Sequence, residues 1–184
     1  METQKLTFTV DKPFSNLFRE KCVLITAQDT EGKVLLGAKS YFYPPTISRL
    51  LGGGVDEGET FAQAAARELE EELGVRVEAD QLTPLVLFET VATDAEGKEY
   101  RNQTAVFTAD IGAQPYRAGD DVSSIIKMTP DELYNLGERY EQLPEVLWYN
   151  GEEGLYAWAD YAKLYGPVHK IVAEKIAKRP KKTA

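Results

Sequence analysis

Outside its acidic residues this chain carries few reactive groups: one cysteine, Cys22, and one histidine, His169, in 184 residues. A lone thiol excludes an internal disulfide, and one histidine beside one cysteine excludes a zinc site built from those two residue types. Long apolar runs are also missing. No segment approaches the roughly 18 residues needed to span a bilayer, and the opening METQKLTFTV lacks a signal peptide's apolar stretch. A cytoplasmic protein without membrane contact is therefore expected. Basic residues are outnumbered 21 to 30, giving a net charge of −9, which disfavours extended contact with nucleic acid. Small anionic partners stay open, because a bound metal reverses the local sign. What the chain does have is 43% hydrophobic content, enough for one substantial core and one domain. Cys22 lies in the apolar run CVLIT and belongs to that core.

Alternation over Leu6 to Val10 predicts an edge strand or N-terminal arm. Lys21 to Ala27 predicts a strand, joined through the turn DTEG to a second, Lys33 to Ala38, as a hairpin. Ser40 to Arg49, SYFYPPTISR, reads as a loop whose aromatics suit packed surface or a stacked base. Val75 to Glu78 predicts the start of a strand and Leu85 to Val91 another; Asp94 to Glu99 then turns into a strand from Asn102 to Asp110. The turns at Asp29 and Asp94 share the pattern DxEGK, as repeated hairpin chemistry between unlike flanks. Ala118 to Ser124 is a polar loop, and Ile125 to Met128 predicts a short final strand. Thr129-Pro130-Asp131-Glu132 has the cap and first-turn proline of a helix start, with Leu133 and Leu136 inward. Glu141 to Gly154 reads as a loop. Leu155 to Lys178 reads as a long helix, with Trp158, Tyr161, Leu164 and Tyr165 on one face and Gly166-Pro167 as a kink or break. Packing on the sheet or a dimer contact is the expected role of that helix, with His169 structural rather than catalytic. The tail KIAKRPKKTA is basic and frayed.

The most informative stretch is Gly53 to Val75, GGVDEGETFAQAAARELEEELGV. Its second half has helical spacing, with Thr60 as N-cap and Gly74 at the C-terminus. At about 100° per residue, Glu68, Glu71 and Glu72 fall on one face, and Ala62, Ala65, Ala66, Leu69 and Leu73 on another. Like charges at these spacings repel by a few tenths of a kcal/mol per pair. Such a face favours a cation, and hard divalent ions take carboxylate and water oxygens.

Gly53, five residues, Glu59, seven residues, then Arg67-Glu68-Leu69-Glu70-Glu71-Glu72-Leu73-Gly74-Val75 resembles the Nudix box, G-x5-E-x7-R-E-U-x-E-E-x-G-U with U aliphatic, at every fixed position. Chance would give this match with a probability on the order of 10⁻⁸ per start point. The resemblance implies an α/β (α+β) Nudix fold, a mixed sheet between helices with the box as loop–helix–loop. It implies one domain over residues 1–184, with an N-terminal arm over about 1–20 and a C-terminal helical extension over about 141–184. It also implies a metal-dependent hydrolase that cleaves the diphosphate bond of a nucleoside diphosphate linked to another group. Mg²⁺ or Mn²⁺ would sit on Glu68, Glu71 and Glu72, with Glu59 as a further ligand or loop anchor, Arg67 orienting a box glutamate, and a box glutamate as general base. Gly53, Gly54 and Arg49 become candidate substrate contacts, and Asp120 or Asp121 a candidate additional acid, against plainer readings as loop residues. Two rival expectations are a Nudix-fold nucleotide-binding module without turnover and a prenyl-diphosphate isomerase. The first goes with an eroded box; the second needs a catalytic cysteine, and Cys22 sits in a strand-like run. Phe88 to Asp94 reads FETVATD, without the proline of ADP-ribose enzymes or the array of NADH enzymes. ADP-ribose, other nucleotide sugars, dinucleoside polyphosphates and modified nucleoside triphosphates all stay open as substrates.

Overall fold

The computed structural model describes residues 1–119 and 122–179; Asp120, Asp121 and the end of the basic tail lie outside them. The central strand is β2 (Lys21–Asp29), which follows β1 (Glu2–Thr9) in the chain. In β2, Val23, Ile25 and Ala27 are buried on one face and Leu24 on the other. A strand covered on both sides needs this continuous apolar run in place of a strict alternation. Next in the chain come β3 (Val34–Ala38), β4 (Arg49–Leu50), the helix α1 (Phe61–Leu73), β5 (Thr83–Thr93), β6 (Glu99–Gly112) and β7 (Ser124–Met128). The sheet runs β1-β5-β6-β2-β3-β4, with β7 also paired to β3. It is mixed: β1 is parallel to β5 and β2 to β6, while β5 and β6 are antiparallel.

α1 covers one face through Ala65, Leu69 and Leu73. The other is covered by α2 (Pro130–Glu141) and α3 (Trp158–Ala177), through Leu133, Leu136, Tyr161 and Val172. The result is the expected sheet between helices. The two DxEGK turns are built alike: the Asp29 and Asp94 carboxylates each accept from backbone N–H groups two and four residues on, and Gly32 and Gly97 take positive φ of 74° and 84°.

Five expectations need correction. Val75 to Glu78 forms no strand; Gly74 turns the chain, and Val75 packs into the α1 core before a 3-10 turn at Ala79–Gln81. β7 is not the last strand, and residues 141–154 are not all loop. A hairpin of β8 (Trp148–Gly151) and β9 (Gly154–Ala157) follows α2. Leu155 therefore belongs to β9, and α3 begins at Trp158. Pro167 lies inside a continuous α3, because Gly166 before it has no Cβ to meet the proline ring. Gly166 also lets α2 approach closely, since a Cβ there would strike Glu141 and the Gly137 carbonyl. No helix among the described residues is long and apolar enough to cross a membrane.

Candidate active site

α1 starts and stops through its own sequence. Thr60 and Gln63 satisfy each other's backbone N–H in a capping box, and Gly74 closes the helix in the left-handed conformation at φ 69°. The segment before it is pinned along β2: Ile25 N–H donates to Leu51 O at 2.8 Å, Val23 N–H to Gly53 O at 2.9 Å, and Val55 N–H to Lys21 O at 3.1 Å. Each of the three glycines admits a different neighbour. A Cβ on Gly52 would run into the Val23 carbonyl, one on Gly53 into the Glu68 carboxylate, and one on Gly54 into the Arg19 guanidinium.

Arg67 organises the acids. Its Nε and Nη2 donate to the two Glu59 oxygens at 2.8 and 3.0 Å, Nη1 to Glu68 at 2.8 Å and Glu71 at 3.2 Å, and Nη2 also to Gly54 O at 3.0 Å. Its five N–H groups thus match five acceptors. These bonds, with that from Asp56 N–H, hold the Glu59 carboxyl down at about 2, and Glu59 ties the box loop to the helix. Glu71 is 45% exposed. Glu68 is mostly buried, and that burial raises its pKa against the pull of Arg67.

Glu72 differs from the open polar face expected of it: it is only 4% exposed and accepts from Gly52 N–H at 2.8 Å. Burial pushes its pKa up to about 7, opposed by Arg49 and by Gly52 N–H. A cation bound there would favour the charged form and lower that pKa again.

Glu68, Glu71 and Glu72 line one cavity of about 420 Å³ with Gly52 and Gly53. Each has one oxygen in a bond to Arg67 or Gly52 and, among the described residues, its second oxygen uncommitted. Among the described residues no three acid, histidine or cysteine side chains are gathered tightly enough to form a finished metal cage. The donor chemistry, three carboxylates with spare oxygens on a polar cavity, nevertheless fits a hard divalent ion.

Arg49 lines the same cavity with Arg19, Lys39, Tyr43 and Tyr161. Of the cavity's cations, sequence reasoning marked only Arg49, as a loop arginine able to bind phosphate or to stay solvated. Arg19, Lys39 and Tyr161 were missed because they come from separate elements and share no local pattern. Gly54 does not line the cavity and serves instead as the seat of Arg19. His169 is fully buried: Nδ1–H donates to Tyr165 O, and Nε2 accepts from Leu50 N–H at 3.2 Å. Burial lowers its pKa to about 4, and its role is to hold β4. Cys22 is buried at 3% exposure and lies off the cavity.

Known proteins resemble this chain in sequence and in fold. In sequence, an uncharacterized Nudix hydrolase of Streptomyces coelicolor is 34% identical over 85 residues, 45% of either chain. The dihydroneopterin triphosphate diphosphatase of Escherichia coli is 43% identical over 61 residues, 33% of this chain and 39% of that one. The match thus spans less than half the length of these curated relatives. Two solved structures share the fold. The Nudix hydrolase RenU of M. smegmatis has a TM-score of 0.52 at 18% identity, covering 85% of this chain and 87% of that one. The E. coli dihydroneopterin triphosphate pyrophosphohydrolase has 0.50 at 23%, covering 68% and 88%. The NUDIX domain model matches residues 19–148, most of the chain and all of the glutamate wall, and the chain belongs to that family.

Proposed function

We propose that the cavity hydrolyses a diphosphate bond in a nucleoside diphosphate linked to another group, with Glu68, Glu71 and Glu72 holding Mg²⁺ or Mn²⁺. The observation that carries this reading is the set of three box carboxylates, each with a spare oxygen among the described residues, on a cavity that also carries cationic and aromatic side chains. The ion, when bound, screens phosphate charge and makes water a better nucleophile. Arg67 fixes Glu68 and Glu71 in place and ties Glu59 to the loop. The closely packed glycine segment gives the phosphates access to the main chain. A box glutamate accepts the proton of the water that attacks phosphorus in line with the leaving oxygen, without a covalent enzyme intermediate. Cys22, buried in β2, offers no nucleophile. Likeness to an enzyme named for cleaving dihydroneopterin triphosphate supports diphosphate chemistry at this site.

Glu71→Gln tests the reading. Because Glu71 is half-exposed, the change is expected to abolish Mg²⁺-dependent turnover and leave Tm nearly unchanged. Full activity in the variant would overturn the assignment.

A further inference from the structure

Two arginines on the cavity, Arg49 and Arg19, have no carboxylate oxygen bonded to them among the described residues, although Arg49 lies within the field of Glu72. Arg49 donates from Nη2 to Gly52 O at 3.1 Å and from Nη1 to Tyr161 Oη at 3.4 Å, both neutral acceptors. Its Cζ lies over the Tyr165 ring at 5.4 Å, and its Nε is buried without a partner. Arg19, seated on Gly54, reaches the same cavity from the segment before β2. Neither guanidinium makes an ion pair among the described residues; Glu153, at the turn between β8 and β9, lines the cavity but pairs with neither. A guanidinium held only by neutral acceptors keeps donors free for a ligand anion. It suits a ligand that brings negative charge in a planar, two-oxygen form.

We propose that Arg49 and Arg19 form an anion subsite for a phosphoryl group beyond the diphosphate link at the glutamates, so that the cavity prefers nucleoside triphosphates over diphosphate diesters such as ADP-ribose. This rests on the proposed hydrolase reading for the placement of the scissile link. In a diester diphosphate each phosphorus carries one charge, and both are engaged at the glutamate wall. A terminal phosphomonoester adds a group with nearly two charges and three acceptor oxygens at pH 7, which fits a guanidinium fork backed by a second guanidinium. Tyr161 and Tyr165 on α3 hold that fork in place, so the helix beyond the family match becomes part of substrate recognition.

Metal-free binding separates this subsite from the catalytic wall. ATP and ADP-ribose share an adenosine, so any recognition of the base cancels between them. The net charge of −9 opposes ATP more than ADP-ribose, so a preference for ATP cannot come from the overall field. In calorimetric titrations with EDTA, wild type is expected to bind ATP at least about tenfold tighter than ADP-ribose. Arg19→Gln, at an exposed position, is expected to weaken ATP about tenfold and ADP-ribose by much less, so that the preference shrinks. Arg49→Lys keeps the charge without the fork and is expected to lose most of the preference. Equal or tighter binding of ADP-ribose, or ATP binding indifferent to both variants, would overturn the subsite. A protein that cleaves diphosphates without this preference loses the subsite alone; one that shows the preference yet cleaves no diphosphate keeps the subsite and loses the hydrolase reading.

Discussion

Arg67 has no spare N–H: it binds Glu59 through two bonds and Glu68, Glu71 and the Gly54 carbonyl through one each. Lysine cannot reproduce a planar fork. Arg67→Lys is therefore predicted to lower stability by about 2 kcal/mol in urea unfolding, since the network is only partly buried, and to lower turnover as Glu68 and Glu71 lose their positions. Gly53→Ala tests packing with a single methyl group. The added Cβ falls where the Glu68 carboxylate sits, and a fall in turnover of at least about tenfold is expected with the fold retained, as befits a displaced reacting group. At this scale the site was half legible. Helical period places Arg67, Glu68 and Glu71 together, and spacing alone shows it. The burial of Glu72 depends on the glycine segment pressed against β2, a contact between distant parts of the chain. Arg19 depends on Gly54 in the same way, and nothing near residue 19 announces it.

Elements were legible where they carry their own punctuation. The Thr60 capping box and left-handed Gly74 bound α1, and Thr129-Pro130 starts α2, as their sequences require. Thr60→Ala is predicted to cost about 1 kcal/mol, read as a shift in the urea midpoint with an unchanged slope. Reading failed where an apolar residue served a neighbour instead of a ladder. Val75 looked like the first residue of a strand but is the apolar contact that follows a left-handed helix end. The β8–β9 hairpin was hidden because it is only four residues a strand, with Tyr149 and Tyr156 facing the ring cluster around Trp158 while Trp148 is exposed. β4, only two residues long, is anchored from outside: Tyr140 Oη donates to Ser48 O at 2.7 Å, and His169 accepts from Leu50 N–H. Tyr140→Phe leaves a buried carbonyl unpaired and is expected to cost about 1–2 kcal/mol by the same measurement.

For the molecule as a whole, these anchors couple α2 and α3 to the segment that enters the cavity, and they make stability depend on pH. His169 has its pKa depressed from 6.5 to about 4. Its contribution to stability is complete above pH 6.5 and is lost as pH falls toward 4. Metal-free Glu72 moves the other way, from 4.5 to about 7, so its contribution is complete below 4.5 and lost as pH rises through 7. The two oppose each other, and wild type should change little between pH 7 and 5 from this pair. His169→Gln removes one side of the balance. Relative to wild type, it is predicted to gain about 2 kcal/mol on going from pH 7 to pH 5 in EDTA, by urea unfolding at each pH; a constant difference would show that His169 is not held neutral.

The central claim is that acids on one turn of α1 direct water onto phosphorus. It is tested most directly by incubating the full chain with Mg²⁺ or Mn²⁺ and a panel of nucleoside triphosphates and diphosphate-linked nucleotides in ¹⁸O-water, and reading the products by mass spectrometry. The account predicts cleavage of at least one compound with one ¹⁸O on a phosphorus of one product, lost in Glu71→Gln. No cleavage across the panel, or label on carbon with unlabelled phosphate, would contradict it.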